Sequence, residues 1–403
     1  MFSYETATSL RFGELARVVL RVGEGMDQPQ EAKVKSFDLA AFLQAERFLA
    51  VSYLTSAAFI VFGEGLFAGL SNPLWLTIVF VWLFAVVLGS CLNVVRHADG
   101  VADILGEPYG TLVLTLSVTT IEVMSISAVM LHGANNPTLV RDTLFSVVMV
   151  ILGGMAGLSL LIGGWKHKEQ HYNLQGANTY LSVIIPLAIF SLTLPNFTVT
   201  TSGPTLSSPQ QVFLTFISIG LYVAFLAVQT GRHRSYFTSV DAIEDVHVGV
   251  HHRSSIWRHA ILLVAYMLPV AILAEELARP IDYLIETLAA PAELGGIIIA
   301  IIVATPEAIG AVRAAMANRL QQAVNIFLGS VLSTIGLTVP VMLLISYATG
   351  HVVFLGLAGA NSVLLLLTLA VSVVTFASGR TNVLQGAVHA VLFGAFILLA
   401  FQD

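Results

Sequence analysis

The chain alternates between long apolar runs and short polar connections. We count eleven runs of roughly 20 mostly apolar residues, the length of a helix that crosses a hydrocarbon core of about 30 Å. The runs are continuous rather than alternating in polarity, which excludes a transmembrane β-barrel. The predicted helices lie at 48–68, 73–95, 110–131, 143–164, 178–195, 210–230, 257–275, 293–315, 323–348, 353–377 and 382–401.

Basic residues are distributed unevenly among the connections. If the eleven runs cross a membrane in turn, every Lys and Arg except Arg141 and Arg279 lies on the side that holds the N-terminus. Because cytoplasmic connections carry an excess of Lys and Arg, this bias predicts a cytoplasmic N-terminus and an external C-terminus. The external side is acidic. The connection between helices seven and eight is predicted to hold Glu275, Glu276, Asp282, Glu286 and Glu293.

Composition supports an all-α polytopic membrane protein and excludes a soluble globular enzyme. The 403 residues are 56% hydrophobic and only 10% charged, whereas soluble domains are about 25% charged. Mean hydropathy is +0.86. Cys91 is the single cysteine, so neither a disulfide nor a cysteine metal cluster is expected. The net charge of −6 gives no reason to expect a nucleic-acid partner, and the lipid bilayer is the expected surrounding.

One segment of the chain occurs twice. Residues 109–123 and 294–308 align without a gap at an offset of 185 residues, and Glu122 then coincides with Glu307. The other aligned positions are mostly apolar in both copies. An internal repeat of this kind indicates two structurally related halves.

The repeat predicts the organisation of the whole chain. Each half holds five helices, an odd number, so the second half crosses the membrane in the opposite sense. Inverted repeats are typical of secondary transporters, which bind their substrate near the midplane where the halves meet. The predicted segments are a cytoplasmic amphipathic segment at 1–47, an extra helix at 48–68, the first repeat at 70–230, a cytoplasmic loop at 231–256 and the second repeat at 257–401.

Glu122 and Glu307 are the candidate binding residues. A charged acid near the centre of a membrane helix costs about 2.5–3.5 kcal/mol and normally has a functional role. Pro306 removes a backbone donor and frees the carbonyl oxygen four residues back, that of Ile302. Carboxylates and carbonyls are the hard oxygen ligands that calcium prefers. Further oxygens or close approach are expected from Thr119, Thr120, Ala304, Thr305 and Ser330, and less strongly from Ser146, Asn325 and Thr334.

The pair of carboxylates suggests how transport would be coupled. Two ionised glutamates neutralise one divalent cation. An empty ionised pair would repel and lose hydration, so protons would bind instead. Cation and protons then compete for the same groups, which is the simplest coupling for an antiporter. Three alternatives are two neutral glutamates with a structural role, a passive cation channel, and an intramembrane enzyme, although the sequence holds no H-E-x-x-H motif.

The motifs resemble those of the cation/proton exchanger family of the calcium/cation antiporter superfamily, especially the ChaA-type bacterial antiporters. This resemblance implies ten helices in two inverted repeats plus one N-terminal helix, in a bacterial inner membrane. It also implies that Glu122 and Glu307 bind Ca²⁺ and protons, that Ser330 lines the site, and that no cofactor is needed. It covers most of 45–401 and depends on the segments 105–123, 304–312, 325–340 and 378–389.

The chain departs from that family at one point. Many members carry an asparagine shortly before the glutamate, but Thr119, Thr120 and Ile121 precede Glu122 here, and Pro306 precedes Glu307. An amide ligand is therefore missing, and Na⁺ or K⁺ remains an alternative to Ca²⁺ as the cation exchanged for H⁺. The sequence leaves a homo-oligomer open.

Two polar segments lie outside this scheme. The loop at 231–256 contains His247, His251 and His252 and is either a pH or metal sensor or an ordinary solvated loop. The N-terminal segment has amphipathic patterns near 9–21 and 36–47, which predict helices on the inner leaflet.

Overall fold

Eleven long helices and one two-stranded ribbon make up the described part of the protein. The computed structural model describes residues 44–105, 109–132, 137–201, 203–238, 253–357 and 359–402. The amphipathic patterns near 9–21 and 36–43, and the three histidines of the 231–256 loop, lie outside these residues. Contact density divides the chain into residues 1–47 and 48–403, and the fold described below is that of the second unit.

The helices follow one another with short connections. They are α1 (Arg47–Phe67), α2 (Pro73–Leu105), α3 (Tyr109–His132), α4 (Leu139–His167), α5 (Leu174–Asn196), α6 (Ser208–Thr230), α7 (Arg253–Asp282, extended by a π-helical turn over Tyr283–Thr287), α8 (Glu293–Met316), α9 (Leu320–Thr349), α10 (Gly359–Thr375) and α11 (Val383–Ala400). The strands are β1 (Glu169–His171) and β2 (Arg380–Asn382), which pair antiparallel. Ten of these helices are long and apolar enough to cross a bilayer, and α10 has 17 residues.

The predicted fold class is confirmed, but several helix ends differ from the prediction. Helix α7 continues to Asp282 and then to Thr287, so Glu275, Glu276, Asp282 and Glu286 belong to the helix and not to the connection after it. A hydropathy pattern ends where charge begins, whereas the helical hydrogen bonds continue past that point. The same reason explains why α2 extends to Leu105 instead of ending near 95.

The tenth helix begins later than predicted. Residues 353–357 are not helical, because amides of this segment bond to other segments of the chain: Phe354 N–H donates to Pro137 O at 2.7 Å, and Leu357 N–H donates to Leu192 O at 2.8 Å. These bonds replace the helical ladder, and α10 starts only at Gly359.

Contacts between connections show that successive helices cross in alternating directions. The ribbon joins the segment after α4 to the segment before α11. On the same face, Gln170 Nε2 donates to Ala315 O at 2.8 Å, which places the α8–α9 connection there. The Phe354–Pro137 bond joins the α9–α10 and α3–α4 connections on the other side. We call the first side the ribbon face and the second the opposite face.

Helices α4, α8 and α9 form the centre of the molecule. In their most apolar stretches 72%, 67% and 72% of residues are buried, against 22% in α6 and 28% in α11. Glycines allow the central helices to approach closely. A Cβ at Gly296 of α8 would lie within 3 Å of the backbone at Asp142 and Thr143 of α4. The inner helices are therefore closely packed and buried, and the outer helices face lipid.

Candidate functional site

Both candidate carboxylates lie in this centre, and both accept a hydrogen bond from the same helix. Glu122 of α3 and Glu307 of α8 are 1% and 8% exposed. On α9, Ser330 Oγ donates to Glu307 Oε2, and Thr334 Oγ1 donates to Glu122 Oε2 at 2.9 Å. Ser330 and Thr334 are four residues apart, so the two carboxylates lie against neighbouring turns of α9.

The glutamates reach α9 from helices of opposite direction. Helix α3 starts at the ribbon face, whereas α8 ends there, as the alternation of connections requires. Pro306 lies inside α8, directly before Glu307. Each glutamate thus projects from the middle of its own helix toward the same partner.

A short π-helical segment interrupts both α4 and α9. The segments are Val150–Met155 and Thr334–Thr338, and their first residues are 184 positions apart. This spacing is one residue short of the 185 that separates the glutamates. π-Helical turns are rare in proteins, and those that do occur lie frequently at functional sites. The two halves therefore share this irregularity as well as the glutamate.

A cavity of about 360 Å³ connects Glu307 with the ribbon face. Its outer wall carries Asp99 and Asp103 of α2 and Gln322 of α9, all exposed, and Asn325 lies between them and Glu307. Ions and water from the ribbon face can therefore approach Glu307. Glu122 is more deeply buried.

Three of the residues expected to line the site have side chains that do not face the two carboxylates. Thr120 is exposed on the outer side of α3, and its Oγ1 donates to Leu116 O at 2.7 Å. Thr305 Oγ1 donates to Ile301 O, and Thr305 lines an apolar pocket together with Ala304. Residues two apart in a helix do not face the same side, so Thr120 and Thr305, each two residues before its glutamate, point away from it.

The remaining expected residues lie on the inner side. Thr119 is buried, and its Oγ1 donates to Thr115 O at 2.9 Å. Asn325 lines the cavity, and its Nδ2 donates to Phe237 O at 2.6 Å. Ser146 of α4 is 1% exposed, and its Oγ has no hydrogen-bond partner.

Sequence reasoning missed four residues in this region. Asp99, Asp103 and Gln322 form the outer cavity wall. Thr338, four residues beyond Thr334 on α9, is fully buried next to Glu122. The only sequence signal for it is the four-residue spacing Ser330, Thr334, Thr338, which follows one side of the helix.

Comparisons with known proteins place the chain in a transporter family. A family model described as "Sodium/calcium exchanger protein" matches residues 75–231 and 258–402, one stretch for each glutamate. The sodium-potassium/proton antiporter ChaA of Escherichia coli is 40% identical over 320 residues, which are 78% of this chain and 86% of that protein. A Ca(2+)/H(+) antiporter of Synechocystis is 23% identical over 279 residues, 65% of this chain and 74% of that protein.

A solved structure shares the fold. The structure of native YfkE has a TM-score of 0.68 at 20% sequence identity, covering 88% of this chain and 100% of that chain. At this identity the likeness concerns the fold alone.

Proposed function

The chain belongs to the sodium/calcium exchanger protein family, and from this premise we propose that it is a cation/proton antiporter in which cation and protons compete for Glu122 and Glu307. Membership in an exchanger family makes the chain a transporter and excludes the intramembrane enzyme. The observation that carries the proposal is the attachment of both buried carboxylates to neighbouring turns of α9 through Ser330 and Thr334.

The hydrogen bonds of this site suit a carboxylate that binds a cation and a proton in turn. A hydroxyl has one proton to donate and two lone pairs, so it can donate to a carboxylate or turn its oxygen to a cation. Two ionised glutamates suit a cation, and protonation neutralises them when the cation leaves. Ser330 and Thr334 can serve both states without moving their helix.

The cavity supports alternating access rather than a passive pore. In the described residues it links the ribbon face to Glu307, while Glu122 is buried behind it. Binding sites of transporters with inverted repeats open to one side at a time. We assign the ribbon face to the cytoplasm of a bacterial inner membrane, because nearly all basic residues lie on that side.

Calcium is the cation that the paired carboxylates favour, because two negative charges balance one divalent ion. Sodium or potassium is the second candidate. It is favoured by the name of the Escherichia coli relative, a sodium-potassium/proton antiporter, and by the missing amide ligand.

Everted membrane vesicles test the proposal. Their interior is acidified, a pH-sensitive dye reports the gradient, and Ca²⁺, Na⁺ or K⁺ is added separately. We expect at least one cation to collapse the gradient with the wild type, and neither Glu307→Gln nor Glu122→Gln to retain this activity. Glu64→Gln, an exposed carboxylate at the end of α1, is the matched control and should behave as wild type. Wild-type activity in either core variant would contradict the mechanism.

Competition also predicts the direction of the pH dependence. Lowering the pH at the ribbon face raises the proton occupancy of the carboxylates, so the apparent KM for the cation should rise. The rise should be about tenfold per pH unit for one competing proton and steeper for two. Initial rates in everted vesicles at several external pH values measure it, and a KM independent of pH would contradict direct competition.

A further inference from the structure

Thr338 has a buried hydroxyl that the site described so far does not use. The residue is fully buried in the π-helical turn of α9, and its Oγ1 has no hydrogen-bond partner. A buried hydroxyl without a partner is destabilising, so such a group calls for an explanation.

Glu122 presents a second unsatisfied oxygen at the same place. Its Oε2 accepts from Thr334, but its Oε1 is buried and has no partner. The Thr338 hydroxyl lies close enough to this carboxyl group to interact with it, although the two do not meet the geometry of a normal hydrogen bond. A carboxylate oxygen and a hydroxyl oxygen, neither of which makes a hydrogen bond of normal geometry, therefore lie near each other in the buried interior.

We propose that Thr338 is a cation ligand, which completes with Glu122 and Thr334 the half of the site farthest from the cavity. This inference rests on the proposed function and adds a specific ligand to it. Hydroxyl and carboxylate oxygens are the hard donors that calcium and sodium accept. A cation between Oε1 and the Thr338 hydroxyl would satisfy both buried oxygens at once.

The order of groups along α9 gives this half a distinct role. Helix α9 starts at the ribbon face with Leu320, and Ser330, Thr334 and Thr338 follow at increasing depth. Thr338 lies roughly 12 Å beyond Ser330 along the axis. A cation from the cavity meets Glu307 first, and a cation that arrives from the opposite face meets Thr338 first.

The hydroxyls of Thr334 and Thr338 have no counterpart in the first repeat. The residues 184 positions before Thr334 and Thr338 are Val150 and Gly154, which carry no side-chain oxygen. A π-helical turn at this place therefore does not by itself require a threonine at the position of Thr338.

Substitutions at Thr338 separate a ligand from a packing residue. Valine keeps the shape of threonine without the oxygen, and serine keeps the oxygen without the methyl group. We expect Thr338→Val to raise the cation KM about tenfold for transport from the opposite face, with a smaller change from the ribbon face. Thr338→Ser should stay close to wild type, and Thr120→Val, on the lipid-facing side of α3, is the control.

The assay uses right-side-out and everted vesicles in parallel, with radioactive calcium and sodium as probes and size-exclusion profiles as the folding check. A wild-type KM in Thr338→Val, or an equal defect in Thr338→Ser, would show a packing role and overturn the inference. If valine disturbs folding, Thr338→Ser and Thr338→Ala, which differ by a single oxygen, give the same comparison. The experiment begins by showing that the wild type transports a cation and that Glu307→Gln does not. If the Thr338 variants then contradict the inference, the proposed function is unaffected.

Discussion

At the scale of single residues, the site pairs each carboxylate with one hydroxyl of α9. Ser330 donates to Glu307, and Thr334 donates to Glu122. Hydrogen bonds to charged groups are worth about 1.5–3 kcal/mol, more than bonds between neutral groups. In the proposed mechanism these hydroxyls therefore set the affinity of the carboxylates for both competing ligands.

Ser330→Ala should weaken cation binding roughly tenfold, because the variant loses a ligand oxygen and leaves Glu307 without its donor. The matched control is Ser333→Ala on the same helix, since the Ser333 hydroxyl donates only to the backbone at Ser330, at 2.9 Å. Equilibrium binding of radioactive calcium or sodium to the purified protein measures the difference. Equal affinities of the two variants would contradict a direct role for Ser330.

At the scale of helices, contacts between glycine backbones hold the outer helix α11 against α4. A Cβ at Gly386 would lie 2.4 Å from the amide nitrogen of Leu161, and one at Gly157 would lie 2.8 Å from that of Ala390. Small residues that allow close backbone approach are a common means of helix association in membranes. Backbone atoms cannot rotate away as a side chain can, so these positions tolerate no larger residue.

Gly386→Ile should therefore destabilise the protein by more than the roughly 1–3 kcal/mol typical of overpacked cores. Gly394→Ile on the same helix is the control, because a Cβ there meets no atom within 4 Å. Monodisperse yield and the midpoint of thermal unfolding in detergent report the outcome. Comparable stability of both variants would mean that α11 is not held by this backbone contact.

Sequence patterns located the helices better than their ends. The apolar runs located all eleven helices along the chain. The ends of α2 and α7 were not predicted, because these helices continue through charged residues such as Asp103 and Asp282. In α10 the error has the opposite sign, since Leu357 bonds across to Leu192 instead of joining the helix.

At the scale of the whole molecule, charge and shape coincide at the ribbon face. Among the described residues this face carries most of the basic side chains, yet the wall of its cavity carries Asp99 and Asp103, four residues apart on α2. Neither aspartate has a hydrogen bond or ion pair among the described residues. Acidic groups that line a cleft raise the local concentration of cations.

Removing both charges with Asp99→Asn and Asp103→Asn should lower the initial transport rate from the ribbon face about three- to tenfold at low ionic strength. The difference should shrink as salt is added, because screening shortens the range of the field. Everted vesicles at two salt concentrations test this, with Glu286→Gln on the opposite face as control. A defect that persists unchanged at high salt would show that the aspartates do not act through long-range attraction.

The site was only partly predictable, for reasons that belong to the tertiary structure. Repeat symmetry identified Glu122 and Glu307, and Ser330 and Thr334 were among the residues expected to supply further oxygens. Thr338 was missed because its position next to Glu122 depends on a contact between different halves. Thr305 was selected for its proximity in sequence, although it faces an apolar pocket.

The sharing of α9 by both glutamates has a consequence for the history of the protein. Directly after a gene duplication the two halves of the protein are identical, so two identical halves could form the site together. Here Val150 of the first copy occupies the place of Thr334 in the second. Two first halves would therefore leave Glu122 without its donor, so the copies have specialised and now have to be inherited together.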